Sequence, residues 1–156
     1  MLRTSYLALV ADDSEDEQIL ISRFLKCVPN VRLIGNVEDG DEAMSYLRGT
    51  GRFGDRKMFP YPDLLLLDYQ MPRLNGLEVM ALLREEEIRL QIILWSNALE
   101  LVDVELARHL GASVVCQKPM NGRETAAIVN QLERYSPEPA TAPLSFVLSS
   151  AYALRA

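Results

Sequence analysis

The chain has 156 residues, of which 49% are hydrophobic, and a formal net charge of −6 at pH 7. A chain of this length can bury a hydrophobic core as one domain without disulfides or a structural metal. The acidic balance argues against nucleic acid as a partner, because no cluster of lysine and arginine is present to meet a phosphate backbone.

The N-terminal residues and the cysteines indicate the cellular compartment of the protein. Arg3 and the short apolar stretch after it run directly into acidic residues, unlike a secretion signal. No segment approaches the roughly 18 to 20 apolar residues of a membrane span, so no membrane partner is expected. Cys27 and Cys116 lie in apolar stretches without metal-ligand spacing. We interpret them as buried free thiols of a reducing compartment, which predicts a cytoplasmic protein.

Five segments have the composition of strands. Three are almost wholly apolar, as strands covered on both faces of a sheet are. They are residues 6–11 (YLALVA), 63–68 (DLLLLD) and 91–96 (QIILWS). Residues 31–37 (VRLIGNV) and 112–117 (ASVVCQ) are shorter or more mixed, which indicates strands nearer the edge of a sheet.

The first helix is predicted from its cap. Ser14 is a candidate N-cap, with Glu17 three residues later as its capping-box partner. Leu20, Phe24 and Cys27 recur at helical spacing and are expected on the buried face. Like the acidic residues beside it, Glu17 is interpreted as a solvated residue of the helix start, favoured there by the helix dipole.

Four more helical patterns alternate with the strands. They are a second around Ala43, Met44 and Leu47, a third from Asn75-Gly76 to about Glu87, a fourth over about 100–110 that Gly111 ends, and a fifth with a stripe of Thr125, Ile128, Val129, Leu132 and Tyr135. Strict alternation of strand and helix predicts right-handed crossovers, and hence a parallel sheet with helices on both faces.

Polar side chains follow the strands at the points where the strands end. Asp12 and Asp13 follow the first strand, Asp68 ends the third, Ser96 ends the fourth, and Lys118 follows the fifth. Parallel sheets bind ligands beyond the carboxyl ends of their strands, where the strand order reverses. In a sheet of order 2-1-3-4-5, these five side chains converge on one edge. Taken singly, each also fits a turn, cap or surface role, so the prediction depends on the set.

Three carboxylates at one edge need compensation. A pair about 4 Å apart repels by roughly 1 kcal/mol in water and about 4 kcal/mol at an effective dielectric near 20. Either some carboxyl groups take up protons or the cluster binds a cation, and we favour Mg²⁺, which suits carboxylate, water and phosphate oxygens. With Lys118, the ion brings three negative charges to a formal zero. Such a site can accept a phosphoryl group, whose transfer needs mainly positioning and charge neutralisation.

These motifs, taken in order, resemble the receiver domain of two-component response regulators. They are ADD after the first strand, LLLLDYQMP around the end of the third, Ser96, and the Lys118-Pro119 pair. The resemblance covers about residues 5–135 and implies a flavodoxin-like α/β fold, with a five-stranded parallel sheet of order 2-1-3-4-5 and helices on both faces. We therefore assign 1–135 to a receiver domain and 136–156 to a proline-rich linker and apolar tail.

The resemblance also implies roles around a Mg²⁺ ion. Asp68 is implied to be the phosphoacceptor, and Asp13 and Asp68 are implied to ligate the metal. The backbone carbonyl of Gln70 is implied as a further ligand, and Asp12 is implied to act through a metal-bound water.

On the phosphoryl side, the resemblance implies that Ser96 hydrogen-bonds the transferred group and that Lys118 pairs with it. It further implies a cis bond between Lys118 and Pro119. Two positions depart from the family pattern. Val115 stands where receivers usually carry the aromatic residue of their switch, and Asn97 stands where a small residue is common.

Two further segments carry predictions. Residues 48–63 form a long connection similar to that of single-domain regulators serving phytochrome-like and other hybrid sensor kinases. Phe53, Phe59 and Tyr61 are expected to anchor it, with contact to a partner as the alternative. The apolar side chains of 136–156 are expected to dock on this chain or on a second copy, so a tail-mediated or helix-mediated homodimer is predicted.

The pattern predicts a stand-alone receiver that accepts a phosphoryl group on Asp68 from a sensor histidine kinase or phosphotransfer protein. It would signal by protein contact or by phosphorelay, assisting its own phosphorylation and dephosphorylation without being a conventional enzyme. Val115 and Asn97 leave open a pseudo-receiver that binds a partner without phosphorylation. A phosphatase with an aspartyl nucleophile would want a second acidic residue at position 70, where Gln70 stands.

Overall fold

The structure, a computed structural model, describes residues 5–134. The predicted tail over 136–156, its part in a dimer, the domain boundary at 135 and the fifth helix's Tyr135 lie outside the described residues.

Strands and helices alternate through the described chain, as the sequence pattern predicts. The elements are β1 (Tyr6–Ala11), α1 (Glu15–Leu25), β2 (Val31–Val37), α2 (Gly40–Arg48), β3 (Leu64–Asp68), α3 (Gly76–Glu85), β4 (Gln91–Ser96), α4 (Val104–His109), β5 (Val114–Gln117) and α5 (Gly122–Asn130). All strand pairs are parallel, and the strand order is β2-β1-β3-β4-β5. The predicted flavodoxin-like fold is therefore confirmed. In the part of the chain that the structure describes, no helix is long and apolar enough to cross a membrane.

The four consecutive leucines of β3 divide between two hydrophobic cores. Leu65 and Leu67 pack with the residues that α2, α3 and α4 bury on one face of the sheet. Leu64 and Leu66 pack with the buried residues of α1 and α5 on the other face. Successive side chains of a strand point to opposite faces, so a strand covered on both sides has no position for a polar residue until it ends. Asp68 is that end.

Helix α1 begins as predicted but buries a different face. Ser14 is its N-cap and accepts a hydrogen bond from the backbone N–H of Glu17. The buried residues are Ile21 and Leu25, whereas Leu20 is 46% exposed. The buried face of α1 is therefore shifted by about one residue from the predicted face, because packing against β1 and α5 sets the orientation of the helix.

The two cysteines differ in exposure. Cys27 is exposed, so the prediction that its thiol is buried is wrong. Cys116 is half-buried, and burial raises the pKa of its thiol to about 11. Both cysteines are free.

The fourth helix is shorter than predicted. Residues 99–101 form a single 3-10 turn, after which the backbone of Val102 is extended. Asp103 then caps α4 by accepting a hydrogen bond from the backbone N–H of Leu106. Gly111 follows the helix with φ of +103°, which supports the predicted stop. The start moved because a capping side chain at Asp103 satisfies the first free N–H groups of the helix.

The long connection between α2 and β3 is anchored by aromatic residues. The rings of Phe53 and Phe59 lie 5.1 Å apart, and Phe53 lies 4.9 Å from Tyr46 of α2. The Arg56 guanidinium donates hydrogen bonds to two carbonyl groups at the end of α2. Anchoring is therefore confirmed for Phe53 and Phe59, while Tyr61 is 42% exposed and lies beneath Arg56.

Gly76 at the start of α3 allows the helix to approach the end of β3 closely. A Cβ atom there would lie 2.6 Å from Leu94 Cδ1 and 2.8 Å from the backbone oxygen of Asp68. We expect Gly76→Ala to lose about 1 to 3 kcal/mol of unfolding free energy, measured by urea denaturation, because backbone atoms cannot move aside easily. Gly54→Ala is the control, since its Cβ would meet no atom closer than 3.5 Å. Equal effects of the two substitutions would contradict this account.

Candidate functional site

The strand order brings the predicted site residues to one edge of the sheet. Ala11 pairs with Leu67 in the parallel ladder, so Asp12 and Asp68 leave neighbouring strands side by side. Ser96 ends β4, and its carbonyl accepts a hydrogen bond from the backbone N–H of Lys118 at 3.0 Å. Asp12, Asp68, Ser96 and Lys118 are all buried. The structure therefore gathers four of the residues that the sequence pattern selects.

The remaining predicted residues lie at the rim. Asp13 is exposed, one residue beyond the buried Asp12. Gln70 is also exposed, and its backbone N–H donates to Asp68 Oδ1 at 3.2 Å, which holds the carboxylate at the start of the loop. Ser96 Oγ accepts a hydrogen bond from the backbone N–H of Ala98 at 3.0 Å, so the hydroxyl group is fixed at the end of β4.

The ammonium group of Lys118 lies among carboxylates. Lys118 Nζ is 2.8 Å from Asp12 Oδ2 and 3.3 Å from Asp68 Oδ2, and it also contacts Glu17 Oε2. One carboxylate oxygen from each of Asp12, Glu17 and Asp68 lies within 4.8 Å of the others. A single buried cation therefore faces three acids.

Glu17 is the site residue that sequence reasoning missed. The predicted capping box is only half formed, because the backbone N–H of Ser14 donates to Asp12 Oδ1 at 3.0 Å and not to Glu17. The Glu17 carboxylate instead accepts hydrogen bonds from Lys118 Nζ and Asn97 Nδ2. The interpretation of Glu17 as a solvated residue is therefore wrong. Side chains of a helix tilt toward its N-terminus, so an acid in the first turn of α1 can reach the strand ends. The position of Glu17 in the first turn of α1 was therefore the sequence feature that could have indicated its place in the site.

Burial and charge shift the pKa values of the clustered acids. Burial raises the pKa of Asp68 from its ordinary value of 3.8 to about 7, although Lys118 acts in the opposite direction. Burial also raises the pKa of Asp12, with Lys118 again opposing the change. For Glu17, burial is outweighed by the hydrogen bonds from Lys118 and Asn97, which leave its pKa lowered.

Lys118 remains a cation in this setting. Burial by itself would lower the pKa of the ammonium group, but its hydrogen bonds to Asp12 and Glu17 reverse that effect and the pKa is raised. The edge therefore keeps an excess of negative charge that a second cation could neutralise. The donors are hard carboxylate oxygens, which are the ligands that Mg²⁺ prefers, so the residues present fit this ion. Asp13 is not one of the three acids that approach one another.

Trp95 packs in the core with 1% of its surface exposed, and His109 is exposed. The predicted cis bond between Lys118 and Pro119 is wrong, since residues 5–134 contain no cis peptide bond. Trans is the favoured isomer before proline by about 0.5 to 1 kcal/mol, and Lys118 reaches the acids from that backbone.

Comparison with known proteins identifies the family. The sequence model of the response regulator receiver domain matches residues 8–130. The chain therefore belongs to the response regulator receiver family of two-component systems.

Individual relatives match the chain at modest sequence identity. The chain is 25% identical over 123 residues to the nitrate/nitrite response regulator NarL of Escherichia coli, an alignment that covers 79% of this chain and 52% of NarL. The chain thus spans about half the length of that curated relative.

Two solved structures cover most of both chains. A response regulator in red light signaling of R. palustris is 30% identical, with a TM-score of 0.69 over 88% of this chain and 97% of the other. The phosphorylated cyanobacterial phytochrome response regulator RcpA is 26% identical, with a TM-score of 0.67 over 83% and 92%.

The raised pKa of Asp68 predicts a pH-dependent stability. Between 3.8 and about 7, the folded chain keeps a proton that the unfolded chain has released, so the unfolding free energy falls as pH rises through that window. In EDTA, we expect wild type to lose roughly 2 to 3 kcal/mol more than Asp68→Asn between pH 5 and pH 8. Urea unfolding at both pH values measures the difference.

Asp16→Asn is the matched control, because it removes an exposed acid from the same end of α1. Its pH dependence should follow wild type. A parallel pH dependence of wild type and Asp68→Asn would show that burial of Asp68 does not govern this behaviour.

Proposed function

We propose that the protein is a stand-alone response regulator that accepts a phosphoryl group on Asp68. The observation that carries this proposal is the buried Asp68 carboxylate at the end of β3, with Lys118 Nζ 3.3 Å from its Oδ2 and Asp12 beside it. The donor is the phosphohistidine of a sensor histidine kinase or of a phosphotransfer protein. The R. palustris regulator, 97% of whose chain aligns with this one, supports the assignment as a response regulator.

The chemistry needs few catalytic groups. An oxygen of Asp68 forms a bond to phosphorus while the donor's N–P bond breaks, and the electron pair leaves with the imidazole nitrogen. Lys118 neutralises charge on the phosphoryl oxygens, and the Ser96 hydroxyl donates a hydrogen bond to one of them. The chain thereby assists its own phosphorylation and the later hydrolysis of the acyl phosphate, without acting as a conventional enzyme on a separate substrate.

The acids of the site suit a magnesium ion. Asp12, Asp13, Asp68 and the backbone carbonyl of Gln70 would hold Mg²⁺, with Asp12 acting through a bound water. The ion supplies neutralisation of the negative charge on the transferred group. The carboxylates that approach one another, those of Asp12, Glu17 and Asp68, support a cation at this place, while Asp13 and Gln70 as ligands rest on the family resemblance.

The partner we favour is a phytochrome-like or other hybrid sensor kinase. The red light regulator of R. palustris and the cyanobacterial phytochrome regulator RcpA support this choice. The output is protein contact or onward phosphorelay, with cytoplasmic location and a homodimer as further proposals. Nucleic acid and membranes are not expected partners.

A pseudo-receiver that binds a partner without phosphorylation is the second candidate. Two observations favour it. Glu17 already pairs with Lys118, the group that the phosphoryl oxygens would use. Val115, half-buried in place of the usual aromatic residue, points in the same direction.

Acetyl phosphate distinguishes the two candidates. In the presence of Mg²⁺, we expect intact-mass spectrometry to show one added phosphoryl group on wild type and none on Asp68→Asn, because Asp68 is the acceptor. Asp16→Asn is the control and should label like wild type. Absence of label on wild type, with acetyl phosphate and with a range of histidine kinases, would reject phosphorylation and favour the pseudo-receiver.

Magnesium should stabilise the folded chain through Asp13. At 100 times the dissociation constant, a bound ion adds about 2.7 kcal/mol to the unfolding free energy. We expect Asp13→Asn to lose most of this gain in thermal melts at pH 8 with and without Mg²⁺, and Asp16→Asn to keep it. A full Mg²⁺ effect in Asp13→Asn would remove Asp13 from the ligand set.

A further inference from the structure

Glu17 makes two contacts that the proposed phosphoryl transfer to Asp68 does not require. Its two carboxylate oxygens are both engaged, one by Lys118 Nζ and the other by Asn97 Nδ2. The two partners come from the ends of β5 and β4, so Glu17 links the first turn of α1 to the strand ends on the far side of the site. Its side chain is 29% exposed, while that of Lys118 is only 6% exposed.

The ammonium group of Lys118 is already engaged by the acids around it: it donates hydrogen bonds to Asp12 and Glu17 and forms an ion pair with Asp68. A lysine ammonium has three donors, and Asp12, Glu17 and Asp68 lie at 3.3 Å or closer. A phosphoryl oxygen that pairs with Lys118 therefore competes with these acids for the ammonium group. Asp12 is fully buried, and Asp68 itself carries the phosphoryl group, so neither is the one to leave. Glu17 at the rim is the partner that can be exchanged.

We propose that Glu17 is a positioning residue that restrains phosphorylation of Asp68. It holds Lys118 and Asn97 across the opening of the site, and it competes with the phosphoryl oxygens for the ammonium group. As a like charge, it also opposes the approach of an anionic donor. This inference rests on the proposed function.

The inference also gives a role to Asn97, where a small residue is common in the family. The side-chain Nδ2 of Asn97 donates a hydrogen bond to the Glu17 carboxylate, and the backbone carbonyl of Asn97 accepts one from Gln117 Nε2 at 2.6 Å. The side chain therefore acts as a second tether that keeps Glu17 turned toward Lys118. A small residue could not reach Glu17.

A metal ligand role for Glu17 is the competing interpretation, since its carboxylate lies within 4.8 Å of those of Asp12 and Asp68. Two engaged oxygens argue against it, because a metal would have to replace a charge-assisted hydrogen bond from Lys118. The two roles predict opposite effects when the carboxylate is neutralised.

The test measures the initial rate at which Mg²⁺ and acetyl phosphate add a phosphoryl group, by intact-mass spectrometry. We expect Glu17→Gln to react about tenfold faster than wild type, the scale of one charge-assisted hydrogen bond. Glu15→Gln removes an equal charge from the same exposed helix start and should stay within about twofold of wild type. The advantage of Glu17→Gln should shrink as ionic strength rises, which a purely structural role would not produce.

Asn97→Ala is the second variant and keeps every charge. It should react about two- to fivefold faster than wild type, since the hydrogen bond from the neutral Asn97 side chain to Glu17 is lost. Thermal melts confirm that each variant is folded, and Asn97→Ala carries the test if Glu17→Gln is not.

The outcomes separate this inference from the proposed function. Label on wild type that is absent in Asp68→Asn, with no acceleration in Glu17→Gln or Asn97→Ala, overturns the inference alone. A slower Glu17→Gln with weaker Mg²⁺ stabilisation overturns it in favour of a metal ligand. No label on wild type or on any variant overturns both.

Discussion

The ammonium group of Lys118 is the interaction on which the arrangement of the site depends. It lies within 3.3 Å of both buried aspartates, Asp12 and Asp68, and contacts Glu17 as well. Three acids this close would repel one another strongly in a buried setting, and a single buried cation makes the cluster tolerable. The compensation is incomplete, since burial still raises the pKa of Asp68 to about 7. An edge with unsatisfied negative charge is suited to a metal ion and, through it, to a phosphoryl group.

The fold supplies this edge by separating packing from chemistry. The side chains of β3 fill the two cores on either face of the sheet, and they can do so because helices cover both faces. The polar residues of the central strands β1, β3 and β4 are then confined to their ends, where the parallel arrangement aligns them. Asp12 and Lys118 are 106 residues apart in the chain, yet the order of the strands brings them to 2.8 Å. A receiver therefore needs little more than this topology to assemble its site.

Membership of the receiver family explains the fold and the position of Asp68, whereas residues that depart from the family pattern distinguish this protein from other receivers. The receiver fold, shared with the red light regulator of R. palustris at a TM-score of 0.69, accounts for the strand order and the position of Asp68. The departures lie around that common framework. Val115 lacks the usual ring, while Glu17 and Asn97 close a hydrogen-bonded link across the opening of the site. These residues are therefore where this protein is expected to differ from other receivers.

Local sequence was enough to predict the strands, the parallel sheet and four residues of the site. Apolar runs such as that of β3 are read from neighbouring residues, and so is the cap at Ser14. An aspartate that ends such a run must lie at the edge of the sheet, so Asp68 needed no tertiary information.

Tertiary structure decided what depended on distant partners. Leu20 and Ile21 are both apolar, and only packing against the sheet determines that Ile21 is buried and Leu20 is exposed. Glu17 fits a capping box equally well in isolation, and its different role depends on a lysine 101 residues later. Periodicity and capping act between neighbours in the chain, whereas the partner of a charged group is set by which segments the fold brings together.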